Sequence, residues 1–343
     1  MTLLILSNHT FLTAQENQNE KGIIGLMYHR FNENKYPTTN VKLKDFEEQL
    51  KMIQKQNIQF ISIDEFKDIM LDKKSYSNKK VLLTIDDAYR SFYVNAWPIL
   101  KEKKIPFILF LNTREINANN PNYMTWDQIR EIKNSNIGTI GGHSFSHDYL
   151  ALKTDKEIYE DIVHSNNDFF RELSYIPKYF SYPFGQYGAN FSKIVKDLNY
   201  QLAFGQHSGV IDTSKNLFEL PRYPINENYG KLDRFLFLLN TKPLPFKSFK
   251  PENKLLSKSN NPPIIEIEFF KNIKNINKIH CFSNNNRSGD FDEQKIIFIG
   301  ENWIRVNLDQ KFYRKTGRIN CSIQDTEDKQ WGFMGFQFTT FEE

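Results

Sequence analysis

Val81-Leu82-Leu83-Thr84-Ile85-Asp86-Asp87, reading VLLTIDD, is an apolar run that ends in two adjacent carboxylates. Its branched residues and short length suit a strand buried on both faces better than a piece of helix. Working outward, similar runs recur at 23–28 (IIGLMY), 59–63 (QFISI), 106–111 (PFILFL), 138–140 (GTI), 178–182 (KYFSY) and 201–204 (QLAF). Helical patterns lie between them. Leu43, Phe46, Leu50 and Ile53 share one face at helical spacing. Thr125-Trp126-Asp127-Gln128 and Thr154-Asp155-Lys156-Glu157 have the capping-box form and predict helix starts. Strands alternating with helices define an α/β domain over 21–240, its mainly parallel sheet open or rolled into a barrel.

The composition then shifts. Residues 241–263 contain Pro243, Pro245, Pro251, Pro262 and Pro263 among Ser, Asn and Lys, and read as a linker. Over 264–343, strand signals at 264–270 (IIEIEFF), 296–299 (IIFI), 303–308 (WIRVNL) and 318–323 (RINCSI) follow with no helix-length pattern between them. In WIRVNL, Ile304, Val306 and Leu308 alternate with Trp303, Arg305 and Asn307. A small C-terminal β-sandwich domain is expected. Cys281 and Cys321 suit a bridge between two strands, and equally suit two buried thiols.

Thirty phenylalanines in 343 residues argue for a real core. A net charge of +4 without a block of like charges gives no reason to expect a nucleic-acid partner. No apolar run is long enough for a transmembrane helix. Residues 1–20 begin MTLLILSNHTFL, apolar but interrupted and without a positive start, with Leu12-Thr13-Ala14-Gln15 in the place of a cleavage site. They read as a degraded or wrongly started secretion signal. An extracytoplasmic location, periplasmic or secreted, is therefore expected, with the cytoplasm as the alternative.

Three stretches carry chemistry. Residues 141–148, GGHSFSHD, place His143 and His147 four apart just past a strand. If a helical turn starts at His143, both imidazoles share one face and can hold a metal; on spacing alone the pair is a weak signal, and surface or capping histidines are the commoner outcome. Asp86-Asp87 can cap the following helix, or one can join the histidines as a third ligand while its neighbour accepts a proton. Residues 180–185, FSYPFG, form a turn whose amides can hold an oxyanion, or an ordinary turn. All three fall at carboxyl ends of predicted strands, the functional rim of a parallel barrel or sheet.

Taken together, Asp86-Asp87, His143-Ser144-x-x-His147 and Tyr182-Pro183-Phe184-Gly185 resemble the successive motifs of the polysaccharide deacetylases, the NodB-homology group or carbohydrate esterase family 4. Trp126-Asp127-Gln128 and His147-x-x-Leu150 extend the likeness, which spans residues 22–225. The resemblance implies a distorted (β/α) barrel of about seven strands and hydrolysis of acetyl groups on a glycan, most often on N-acetylglucosamine. It implies a divalent metal on Asp87, His143 and His147, zinc first and nickel or cobalt as alternatives. It further implies Asp86 as general base and the amide near Tyr182 as oxyanion donor. An O-acetyl esterase and a non-catalytic glycan-binding protein are the competing readings.

The chain departs from the family pattern in places. Ala88 replaces the usual glycine, which is harmless only if that position avoids positive φ. Ser181 replaces the arginine that steadies the base in many members; Arg222 is the candidate substitute and a candidate substrate or oxyanion residue, a surface or structural arginine the alternative. The late histidine motif that supplies an acid is absent; His207, just beyond the last strand, is the candidate acid, a loop histidine of no chemical importance the alternative. His29, ending the first strand, is a candidate pocket residue. Tyr28-His29 and the missing arginine are similar to the branch acting on exported poly-N-acetylglucosamine.

Overall fold

A computed structural model describes residues 21–72, 74, 76, 78–271 and 273–341; the signal expected over 1–20 lies outside them. The apolar runs become parallel strands: β1 (Ile23–Tyr28), β2 (Gln59–Phe60), β3 (Lys80–Asp86), β4 (Phe107–Leu111), β5 (Gly138–Gly142), β6 (Tyr179–Ser181) and β7 (Leu202–Phe204). An additional two-residue strand, β8 (Tyr223–Pro224), pairs with β1. The order is β8-β1-β3-β4-β5-β6-β7, with β2 beside β3. A bridge from Phe204 to Leu220 carries β7 toward β8, so the sheet curls into a distorted barrel.

Strand parity assigns every side chain to one of two layers. Val81, Leu83 and Ile85 pack outward with Phe46, Leu50 and Ile53 of helix α1 (Leu43–Lys55). Leu82 points inward with Ile108, Phe110, Leu202 and Phe204. Both faces are covered, which is why the runs are apolar throughout. Thr84 and Asp86 share the inward parity of Leu82, so Asp86 is carried to the rim on the interior side. Both capping boxes form, starting the helices Trp126–Asn134 and Asp155–Leu173.

The C-terminal part is a two-sheet β domain. One sheet runs Thr241–Pro243, Trp331–Thr339, Thr316–Gln324, His280–Ser283 and Asp292–Glu293; the other runs Phe246–Lys250, Ile265–Phe269, Trp303–Asn307 and Lys295–Gly300. Ile267, Ile304 and Val306 meet Ile319, Ile323 and Phe338 between them. Residues 241–263 are thus more than a linker, because they supply an edge strand to each sheet. Edge positions tolerate the missing amide of a proline such as Pro243. Cys281 and Cys321 lie directly opposite on adjacent strands and are bridged. Among the described residues no helix is long and apolar enough to cross a membrane.

Candidate active site

Asp86 arrives inside the barrel fully buried, and its partners come from distant parts of the chain. Arg222, also fully buried, grips it with both arms: Nη1 to Oδ1 at 2.7 Å and Nη2 to Oδ2 at 2.9 Å. The same guanidinium donates to Ser181 Oγ at 2.8 Å, Thr84 Oγ1 at 3.0 Å and the Gly205 carbonyl at 3.0 Å. Ser181 Oγ in turn donates to Asp86 Oδ2 at 3.1 Å. Ser181 therefore hydrogen-bonds with Arg222 where an arginine of its own would otherwise stand. Burial pushes the Asp86 carboxyl up, but Arg222, together with His143 and His29, more than offsets it and holds it below its ordinary range. With all these donors engaged, Arg222 orients Asp86; it does not line the cleft as a substrate or oxyanion residue.

Asp87 leaves the strand in another direction. It and Ala88 adopt φ of 75° and 58°, a sharp left-handed turn. Ala88 thus occupies the conformation that favours glycine, at a cost of roughly 1–2 kcal/mol. Asp87 Oδ1 lies 3.3 Å from His143 Nε2 and 3.2 Å from His147 Nε2, and Asn112 Nδ2 donates to it at 3.3 Å. Burial pushes the Asp87 carboxyl up, yet the charge of a protonated His147 beside it leaves it well below its ordinary range.

The histidines do not sit on a helical turn. Ser144 and His147 have φ of 69° and 54°, and the loop between them is pinned instead. Asp161 accepts from the amides of Phe145 at 2.8 Å and Ser146 at 3.2 Å, and Ser144 Oγ accepts from the His147 amide at 2.9 Å. Sequence reasoning missed Asp161, whose only signal is its place on the next helix.

His143 Nδ1 donates to the Ser181 carbonyl at 2.6 Å, which fixes the tautomer and leaves the Nε2 lone pair facing Asp87. That nitrogen is buried and has no hydrogen-bond partner. A lone pair aimed at a carboxylate oxygen makes sense when a cation sits between them. The ligand atoms of Asp87, His143 and His147 all lie within 4.8 Å of one another. Two ring nitrogens and one carboxylate are a donor set that suits a catalytic zinc-type ion. The residues present therefore fit a divalent metal.

Asp87 and His147 open onto a cleft of about 700 Å³, whose wall also includes His29 and Phe184. Asp86 lies outside that wall. Burial pushes the His29 imidazole down, with Asp87 and Asp86 opposing. Phe184, at φ 57°, lays its ring 4.6 Å from His147 and 4.3 Å from Tyr149.

Two expected residues turn away. Tyr182 is buried among Phe180, Tyr187 and Phe191, and its amide donates to the Phe204 carbonyl at 3.0 Å, so it is no oxyanion donor here. His207 faces the opposite way from Gln206 and Ser208, which line the cleft. It is 4 % exposed, in a separate small cavity beside Lys215 and Phe336. Burial, with Lys254, Lys215 and Arg318 nearby, pushes its pKa down to about 3. It is not placed to act as an acid on anything bound near Asp87.

Fold and rim together define an α/β barrel with a candidate metal-ligand triad beside a clamped carboxylate. Residues 73–203 match the family model described as polysaccharide deacetylase. YxkH of Bacillus subtilis is 24% identical over 201 residues, 59% of this chain and 70% of that protein. The poly-β-1,6-N-acetyl-D-glucosamine N-deacetylase of Staphylococcus aureus is 23% identical over 203 residues, 55% of this chain and 69% of its own length. The structure of the Streptococcus pyogenes deacetylase PplD in complex with acetate shares the fold, with a TM-score of 0.59 at 23% identity, covering 64% of this chain and 98% of that one.

Proposed function

We propose that this protein is a metal-dependent hydrolase that removes N-acetyl groups from an N-acetylglucosamine-containing polysaccharide. The observation that carries the reading is the convergence of Asp87, His143 and His147 beside the Arg222-held Asp86. When bound there, a divalent ion, zinc first, supplies Lewis acidity toward water and toward an acetyl carbonyl. Asp87 would supply the anionic oxygen, and the Ser181 carbonyl keeps His143 in the ligating tautomer. Asp86, held ionised by Arg222, accepts the proton released as the acetyl group is attacked. Asp86 Oδ1 accepts only from Arg222 Nη1 and so retains a lone pair, whereas Oδ2 is shared by Arg222 Nη2 and the Ser181 hydroxyl. His29 and Phe184 shape the cleft around the reacting group.

The amide bond is favoured over an ester by the named activity of the Staphylococcus aureus relative. The Cys281–Cys321 bridge supports a location outside the cytoplasm, where such bridges persist. The deciding test is acetate release by metal-loaded protein from chitooligosaccharide, poly-N-acetylglucosamine and acetylxylan. Release from the first two, lost in Asp86→Asn with metal still bound, is the expected result. Release from acetylxylan alone would shift the reading to an O-acetyl esterase, and release from none would leave glycan binding.

A further inference from the structure

The larger sheet of the β domain does not turn its outer face to water. Along Thr316–Gln324, Ile319, Cys321 and Ile323 enter the sandwich core, so Arg318 and Asn320 stand on the opposite face. Both line the cleft that Asp87 and His147 open onto. Gln337, opposite Arg318 in register, accepts from Arg318 Nε at 3.1 Å and donates to the Phe184 carbonyl at 2.9 Å. The sheet is thereby tied to the loop that carries Phe184, and it forms one wall of the cleft.

That wall, with the barrel rim, presents two guanidiniums. Arg318 uses only Nε, and neither Nη donates to a described residue. Arg234, which also lines the cleft, donates from Nη1 to the Tyr229 carbonyl and packs over the Tyr229 ring at 5.0 Å. No ion pair forms at either arginine among the described residues, in contrast to Arg222 with Asp86. The one acidic residue in the cleft wall is Asp87, which the triad already uses. Burial lowers the pKa of both guanidiniums, so each is partly stripped of water without a counter-charge. Such an arrangement is costly unless an anion arrives from outside.

We propose that the cleft takes an acidic glycan, with the Nη groups of Arg318, assisted by Arg234, binding a carboxylate or phosphate on the same polymer that carries the acetyl group. The choice of a glycan rests on the deacetylase reading; the anion site does not.

The test is calorimetry with three probes: a hexasaccharide alternating glucuronate and N-acetylglucosamine, a phosphodiester-linked N-acetylglucosamine oligomer, and neutral chitohexaose. The parent protein should bind at least one acidic probe about tenfold tighter than chitohexaose, the worth of one charge-assisted contact. The advantage should shrink with salt, and the tighter acidic probe identifies carboxylate or phosphate. Arg318→Gln should lose that advantage and leave chitohexaose unchanged, with Arg318→Lys between the two. Arg234→Gln, measured in parallel, reads the same site if Arg318→Gln does not fold. Equal affinity for all probes, no binding of any, or uniform weakening in both variants would overturn the proposal. Acetate release is read separately: tight acidic binding with no acetate from any probe would sink only the deacetylase reading, and acetate release without acidic preference only this one.

Discussion

Asp86 and Asp87 are chain neighbours with opposite company. Asp86 follows the inward parity of its strand and meets a guanidinium that pairs with both of its oxygens. Asp87, turned aside by positive φ, meets two imidazole nitrogens, one of them buried without a partner. The first region is an ion pair complete within the protein. In the second, three electron-pair donors converge, which nothing but a cation or protons can reconcile. A single residue's shift along the chain thus separates a proton acceptor from a metal ligand.

Swapping the amide into each position should separate these roles most sharply. Asp86→Asn should keep one equivalent of zinc and lose acetate release by about 10²–10⁴-fold, the usual range for a general base. Asp87→Asn should lose comparable activity together with the zinc, as measured by plasma emission on the dialysed protein. If both variants kept the metal, the contrast between the two carboxylates would be broken.

Removing Arg222 probes the closed pair. Arg222→Met leaves a buried carboxylate unpaired and should destabilise the fold by about 3–5 kcal/mol in urea melts. Adding Asp86→Asn should recover a good part of that loss without recovering activity. Were the double variant no more stable than Arg222→Met, the arginine's worth would lie in packing against Phe110 and Phe204 instead.

Parity also explains what was legible in the sequence. The strand runs, the two capping boxes, and the aspartate and histidine motifs are local patterns, and each appears where local physics puts it. Arg222 was only one candidate for orienting Asp86, because its partner lies 136 positions away and meets it only when the barrel closes. The strand Tyr223–Pro224 is too short to leave a pattern. His207 fails as an acid by one step of alternation, since its neighbours on either side face the cleft. Tyr182 fails because sheet pairing had already claimed its amide. In 241–263, prolines masked two strands that only edge positions permit.

The misplaced histidine gives a measurable signature. His207 is held neutral in the fold, with its pKa lowered from 6.5 to about 3, so the unfolded chain binds a proton first as pH falls. Its contribution to stability is whole above pH 6.5 and drains away below it, at about 1.4 kcal/mol per pH unit. Between pH 6.5 and 5 the parent should lose about 2 kcal/mol more than His207→Gln in denaturant melts. Equal slopes would place His207 in water after all.

The smallest effect should come from Ala88→Gly. Relief of the left-handed strain is opposed by a lost buried methyl and a freer unfolded chain, so stability should move by less than about 1 kcal/mol.

The most direct measurement is anomalous diffraction at the zinc edge from crystals soaked with one equivalent of zinc. One peak is predicted, bonded at about 2.0–2.2 Å to Asp87, His143 Nε2 and His147 Nε2, with Asp86 still held by Arg222 and outside the coordination sphere. A peak elsewhere, or one that recruits Asp86 in place of Asp87, would contradict the account.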